Sequence, residues 1–401
     1  MTAFGPPSRA GSSGSQVILH LDLDAFFCAV EELRQPELLG QAFAVGGRPG
    51  ERGVVSSCSY AARRFGIRSG MPMAQAVRLY PGLKVVSGRH GAYGQMSDRV
   101  MDRLREVTPG FEQISIDEAF LDITGFREPP EQLARRLQRG IRDDLGLPSS
   151  IGIASNKLVA KIATEVAKKT GRGDRAPFGL TIVPLGEERA FLAPLPMEML
   201  WGVGPKTARK MTTLGMRTIG DIAGWPEPSL VDLFGEYGRE LARRARGEDD
   251  RMVVTEHEAK SMSQETTFAR DVRDDKALER TLRQLAGEVA GYLRKSNIAG
   301  STIRLKLRWP DFTTLTRQTT LSQRTDDEVE IAETALELLK SARKPGQAVR
   351  LIGVGVSRLG YPIRQLELWD SGRERHRRLT AALDDLRKKY GDQVIHRGED
   401  E

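Results

Sequence analysis

Two acidic clusters interrupt segments that are otherwise apolar, and both are of the kind that holds a cation. In Ser115-Ile116-Asp117-Glu118-Ala119 two carboxylates stand side by side, and in Val17-Ile18-Leu19-His20-Leu21-Asp22-Leu23-Asp24-Ala25-Phe26-Phe27 a second pair, Asp22 and Asp24, ends an apolar run. Carboxylates in apolar surroundings need a positive partner. A divalent metal is the leading candidate, because hard cations such as magnesium take oxygen ligands. Two such strands laid side by side would assemble the cluster.

The elements that must position these acids follow from periodicity. Val17, Leu19, Leu21 and Leu23 alternate with Ile18, His20, Asp22 and Asp24, which predicts a strand with one core face and one acid-bearing face. A helix through Val30-Glu31-Glu32-Leu33 follows, and the segment up to about Pro81 reads as a small insertion with a strand at Val54-Val55-Ser56-Ser57 and a helix around Ala74 to Val77. The pattern then predicts a strand at Leu83 to Val86, a helix from about Tyr93 to Val107, the acidic strand, a helix from about Glu131 to Leu145, and a strand at Ser150 to Ala154. Such alternation implies an α/β layer with helices on one face. Neighbours on a regular strand point to opposite faces, so Asp117 and Glu118 reach one site only from a bulge or a strand end.

A helix from Asn156 to Lys169, capped by Ser155 or Asn156, would bury Leu158, Ile162 and Val166 and carry Lys157, Lys161 and Lys168 along another face. That stripe is either a solvated lysine face or a triphosphate site, and its place directly after the acidic strands favours the latter. In Leu200-Trp201-Gly202-Val203-Gly204-Pro205-Lys206 a glycine turn joins two helical segments; it is either a plain cap or a set of exposed amides that grip a phosphate. Arg239, Arg243, Arg244 and Arg246 form a basic patch, and residues 249–260 read as a linker. Farther on, Ile303, Leu305, Leu307 and Trp309 alternate with Arg304, Lys306 and Arg308. Three cations at strand spacing either track a nucleic-acid backbone or protect an edge strand from aggregation. Helices around Ala277 to Lys295 and Asp326 to Ser341, with a strand at Ala348 to Ser357, complete a second α+β unit.

Composition narrows the partners. At 401 residues the chain divides into two to four domains, and a net charge of +7 with a pI near 9.4 points toward polyanions. The two cysteines, Cys28 and Cys58, offer no zinc or disulfide framework and suit a reducing cytoplasm. Residues 1–15 are expected to be a disordered head without a signal peptide, and no segment reads as a membrane span.

The ordered set Asp22-Leu23-Asp24-Ala25-Phe26-Phe27, Ser59-Tyr60-Ala61-Ala62-Arg63-Arg64-Phe65-Gly66, Ser115-Ile116-Asp117-Glu118-Ala119 and Asn156-Lys157-Leu158-Val159-Ala160-Lys161-Ile162-Ala163 resembles the Y-family translesion DNA polymerases, in particular the bacterial DNA polymerase IV branch, over about residues 17–370. The resemblance implies a multidomain α+β right-hand fold. The palm, ferredoxin-like, would span 16–25 and 85–185, small fingers 26–84, a helical thumb with a helix-hairpin-helix-like turn 186–248, and a separate α+β little finger 261–360 after the linker. It further implies that Asp22, Asp117, Glu118 and the Leu23 carbonyl hold two Mg²⁺ ions, and that the three acids are catalytic. Phe27 would be the steric gate against ribonucleotides, with Phe26 in the core. Tyr60, Arg63 and Lys168 would contact the incoming nucleotide, and Gly202, Gly204, Lys206, Arg304, Lys306 and Arg308 the DNA. Asp24 would serve local hydrogen bonding. The turn from Lys168 to Arg175 is longer than the family's and lacks its proline, which leaves Lys168 and Lys169 hard to separate.

Gln365-Leu366-Glu367-Leu368-Trp369 resembles the peptide by which bacterial polymerases dock on the sliding clamp, with Gln365, Leu366, Leu368 and Trp369 as anchors; an amphipathic turn is the plainer reading. The implied partners are primer-template DNA, deoxynucleoside triphosphates and the clamp, for a monomer working in the cytoplasm. Two alternatives use the same residues: a non-catalytic accessory that binds DNA and the clamp, which the three acids argue against, and a nucleotidyl cyclase, for which the basic strand has no use.

Overall fold

The computed structural model describes residues 16–169, 176–256 and 258–362, with single positions 382, 386, 389 and 390. Gln365 to Trp369 lie outside the described residues. The chain divides into two compact units, one through residue 257 and one from residue 258. No helix among the described residues is long and apolar enough to cross a membrane.

The first unit opens with β1 (Ile18–Leu23) and α1 (Phe26–Arg34) and passes through β2 (Phe43–Gly46), β3 (Val55–Cys58), α2 (Tyr60–Arg63), α3 (Met73–Leu79) and β4 (Lys84–Val86). It continues with α4 (His90–Arg105), β5 (Phe111–Gln113), β6 (Glu118–Asp122), α5 (Pro130–Leu145), β7 (Ser149–Ala154), α6 (Lys157–Lys168) and β8 (Leu180–Ile182). Five short helices end it: α7 (Glu188–Leu192), α8 (Pro205–Thr213), α9 (Ile219–Gly224), α10 (Glu227–Phe234) and α11 (Glu236–Ala245).

β5, β6, β1, β7 and β8 form one sheet in that order. Without β8 this is the split βαβ arrangement of a ferredoxin-like layer. The apolar side of β1, Leu19, Leu21 and Leu23, packs with Tyr93, Met101 and Leu104 of α4 and Leu133, Leu137 and Ile141 of α5. The expectation that helices cover only this face is corrected, because α6 crosses the other one, and all of β1 is buried in consequence. Gly152 of β7 is what admits it: a Cβ there would lie 2.1 Å from the Ala160 carbonyl oxygen and 2.4 Å from the Thr164 amide nitrogen. With any side chain at Gly152 the helix would stand off, and its lysines with it.

The strand Lys84–Val86 does not enter this layer. It pairs in parallel with β2 in a separate sheet of order β3-β2-β4, closed over Val55, Ala62, Ile67, Met73 and Ala76. The arginine patch is likewise not free: Arg239 pairs with Glu236, Arg243 with Asp250, Arg244 with Glu240 and Arg246 with Glu248.

Half of the expected linker is docked. Asp249 accepts the Leu158 N–H at 3.0 Å, the Asn156 side chain donates to the Gly247 carbonyl at 2.9 Å, and Lys157 Nζ donates to the Met252 carbonyl at 3.2 Å. Lys157 therefore does not share a triphosphate stripe with Lys161 and Lys168. Its ammonium forms a 2.6 Å pair with Glu112, both side chains 5% exposed, and Glu112 also accepts the Val254 N–H at 2.8 Å. Removing one partner leaves an uncompensated buried charge, so Lys157→Met is expected to cost about 3–5 kcal/mol. Urea unfolding of Lys157→Met against the Glu112→Gln/Lys157→Met double variant checks this, the double recovering part of the loss.

The second unit holds β9 (Ser261–Val272), α12 (Asp275–Lys295), β10 (Ala299–Arg308), β11 (Thr314–Thr325), α13 (Glu328–Ala342) and β12 (Val349–Gly360). Asp274 and Asp327 cap the two helices through their side chains. Leu282, Val289 and Leu336 pack on Ile303, Leu305, Ile352 and Val354, so the helices cover one face of the sheet. Strand order is β11-β10-β12-β9, which places β10 inside the sheet; the edge-strand reading of its cations is corrected.

Candidate active site

The acids come from the centre of the five-stranded sheet. β1 and β6 run antiparallel with Asp22 opposite Glu118, and the Leu23 N–H donates to the Asp117 carbonyl at 3.0 Å. The geometric difficulty of adjacent Asp117 and Glu118 is met by a strand end. Residues 115–117 form the turn between β5 and β6 and the strand begins at Glu118, so the alternation rule does not bind Asp117. Ser115 fastens that turn, its hydroxyl donating to Asp117 Oδ1 at 2.6 Å and accepting the Asp117 N–H at 3.2 Å.

From above, α6 presents two ammonium groups. Lys168 Nζ lies 2.6 Å from Asp22 Oδ2 and Lys161 Nζ 2.7 Å from Glu118 Oε1. Lys169 points away, to the Met199 sulfur at 3.2 Å, so Lys168 is the lysine at the acids. Burial raises the Asp22 carboxyl well above its ordinary range against the pull of Lys168. Glu118 is partly desolvated too, yet its hydrogen bond with Asp22 and the Lys161 ammonium hold it down to about 2. Burial also raises Asp117. Beneath them His20 is fully buried, its Nδ1 2.9 Å from Thr164 Oγ1, and burial lowers its pKa so that the ring stays neutral.

Asp24 is turned to other work. It accepts from the Ser150 hydroxyl at 2.9 and 3.0 Å, from the Phe178 N–H at 3.3 Å and from the Tyr60 hydroxyl at 3.5 Å, and burial brings its pKa up to about 6. The Tyr60 contact ties the α2 segment to the acid strand, and the Arg63 guanidinium lies 4.5 Å over the Tyr60 ring. Phe26 is in the core at 2% exposure, whereas Phe27 is half-buried and stacked on Tyr93 at 4.4 Å. Sequence reasoning missed Ser115, Tyr93 and the Lys161 pairing with Glu118; only the last had a signal, its helical spacing from Lys157 and Lys168.

Whether this set suits a metal is decided by its donors. Asp22, Asp117, Glu118 and the Leu23 carbonyl are hard oxygen donors on neighbouring strands, the type that binds Mg²⁺ or Ca²⁺. Two of the three carboxylates already hold cations, the lysine ammoniums. Among the described residues no three metal-type side chains converge on one point as they stand; Asp22 and Glu118 each pair with a lysine, and Asp117 with Ser115. The residues fit a divalent ion that competes with those ammoniums.

Elsewhere, Gly202 has φ +105° and Gly204 caps α8, with Pro205 in its first turn. The Tyr237 hydroxyl donates to the Gly202 carbonyl at 2.6 Å, and Gly204 and Lys206 are exposed. In the second unit Arg304 is exposed and donates to Gln318, Lys306 pairs with Glu265 at 2.6 Å and Arg308 donates to Thr314. These cations lie on the sheet face away from α12 and α13, beside Gly353 and Gly355 of β12.

The impB/mucB/samB family matches residues 21–165, and its C-terminal domain matches 259–368. DNA polymerase IV of Dehalococcoides mccartyi strain BAV1 is 41% identical over 385 residues, 95% of this chain and 96% of that protein. DNA polymerase IV of Streptomyces coelicolor is 44% identical over 348 residues, covering 85% and 71%. Among solved structures, a Y-family DNA polymerase chimera aligns with a TM-score of 0.76 at 27% identity, covering 86% of this chain and 99% of that one. An insertion ternary complex of Dbh DNA polymerase aligns at 0.62, also at 27% identity, covering 86% and 99%. The chain is thus a DNA-directed DNA polymerase. More narrowly, the chain belongs to the impB/mucB/samB family, within the Y-family DNA polymerases and the bacterial DNA polymerase IV branch.

Proposed function

We infer that this polymerase extends primers across damaged template bases with low fidelity, adding deoxynucleotides to a primer 3′ hydroxyl. The observation that carries the reading is the register of Asp22 with Glu118, with Asp117 at the adjoining strand end. Asp22, Asp117, Glu118 and the Leu23 carbonyl would hold two magnesium ions, whose charge would lower the pKa of the attacking hydroxyl and offset the charge of the leaving pyrophosphate. Lys168 and Arg63 offer cations to the triphosphate once Lys168 leaves Asp22, Arg63 through a planar fork. Tyr60 braces the α2 segment against Asp24. Gly202, Gly204 and Lys206 would take DNA phosphates at the exposed start of α8, and Arg304, Lys306 and Arg308 a DNA backbone along β10. Docking on the sliding clamp through Gln365, Leu366, Leu368 and Trp369, a monomeric state and a cytoplasmic location belong to the same reading. The accessory-protein alternative keeps the DNA contacts and dispenses with the acids.

A primed template with Mg²⁺ and single nucleotides, with and without an abasic site, tests the function; failure to extend past the lesion would end the lesion-bypass part. The lysines supply a further expectation. Lys161 is the counter-ion of Glu118, so Lys161→Gln removes a competitor and should tighten divalent-ion binding to the free protein about tenfold, allowing for partial solvent screening of a contact at this distance. Titration with Mn²⁺ followed by spin resonance reads this without turnover, and an unchanged affinity would show that the ammonium does not compete for the site.

A further inference from the structure

We propose that Tyr93, held by the buried carboxylate of Glu31, is a positioning residue that fixes the Phe27 ring and thereby sets discrimination between deoxyribose and ribose. The inference deepens the steric-gate reading of Phe27 and rests on it. Phe27 is only half-buried and follows a turn into helix at Ala25, whose φ is +46°. A ring in that position blocks a 2′ hydroxyl only if it cannot swing aside. Phe26 and His90 flank it at 5.7 and 6.3 Å, but the ring stacked flat against it is Tyr93, centroids 4.4 Å apart and planes 14° apart.

Tyr93 is itself locked. It has no exposure, meets Phe26 and His90 edge-on at 6.5 and 6.0 Å, and donates its hydroxyl to Glu31 Oε1 at 2.8 Å. Glu31 sits one helical turn beyond Phe27 on α1 and is also fully buried. Among the described residues its second oxygen, Oε2, lacks a hydrogen bond and faces the Arg89 guanidinium at 3.7 Å. A buried carboxylate so incompletely satisfied is costly, and packing alone gives no reason to keep it. Fixing the Tyr93 hydroxyl, and through it the plane against which Phe27 rests, does. Leu or Met at position 31 would fill the space but leave the phenol without an acceptor.

The test compares kcat/KM for a deoxynucleotide and the ribonucleotide of the same base on one primed template. Tyr93→Leu is expected to lower sugar discrimination about 3–10-fold, the worth of an aromatic pair converted to a rate ratio, through a rise in ribonucleotide kcat/KM, and Glu31→Leu, which keeps the ring but strands its hydroxyl, by a smaller factor. Tyr93→Phe should lose less, because the ring remains, and Glu31→Gln, whose amide oxygen still accepts the hydroxyl, should stay near the parent. In a Phe27→Ala background Tyr93→Phe should cost nothing more, as coupled residues require; a merely structural role would give additive losses. Unchanged discrimination in Glu31→Leu and Tyr93→Phe, with Phe27→Ala impaired, overturns the brace and leaves the gate standing. Unchanged discrimination in Phe27→Ala removes the gate itself, and the brace with it. Should Tyr93→Leu fail to fold, Tyr93→Phe and Glu31→Leu decide.

Discussion

Glu118→Ala is expected to abolish primer extension, lowering kcat/KM by about 10³-fold or more, the loss that follows when a preorganised electrostatic group at a reacting centre is removed. Asp117→Ala and Asp22→Asn should do the same. The side chain of Glu118 is about one-fifth exposed and lies at the head of β6 opposite Asp22, so its removal leaves the sheet's apolar packing intact. What it leaves is Lys161 without its anion, above a Trp201 ring 5.8 Å away. Thermal unfolding should therefore move little while turnover disappears, and this contrast separates a catalytic from a structural role. Extension by Glu118→Ala within about tenfold of the parent would contradict three-acid catalysis, since one tenfold step is only about 1.4 kcal/mol of barrier. Chelation by EDTA should mimic the variant in the parent protein and be reversed by added Mg²⁺.

The second large effect is at Phe27. Phe27→Ala should raise ribonucleotide incorporation on the order of 10²-fold, the scale on which a pocket rejects an added hydroxyl, while deoxynucleotide addition continues. The choice of Phe27 over Phe26 is geometric: they are consecutive on α1, and one points into the core at 2% exposure while the other is only half-buried, just past the acid strand. Single-nucleotide insertion with matched deoxy- and ribonucleotides measures the change. An unaltered sugar preference would place the gate at another side chain and make Phe27 a packing residue of the Tyr93 cluster.

Strong local patterns were legible before any coordinates. The alternation of β1, the amphipathic helices α5, α6 and α12, the acid pairs and the central basic strand all carry a period or a charge that survives without context. Weak local patterns were not. β9 and β11 are twelve residues each, rich in Ser, Thr, Gln and Arg. As edge strands they bury little, so they leave scant hydrophobic signal. Residues 249–254 looked like a linker because their charge is high, yet Asp249 caps α6 and Glu112 receives Val254 from far along the chain.

The amino-acid sequence by itself determined which residues carry charge, which segments alternate and that three acids in two separate segments fall in motifs that follow one family's order. Tertiary structure alone decided which cation meets which anion. Lys157, Lys161 and Lys168 read alike along α6, but the helix crosses the sheet at Gly152, so Lys157 falls to Glu112 and the other two reach Glu118 and Asp22. Coulomb attraction and desolvation depend on separation in space and on burial, and neither quantity is a property of position along the chain.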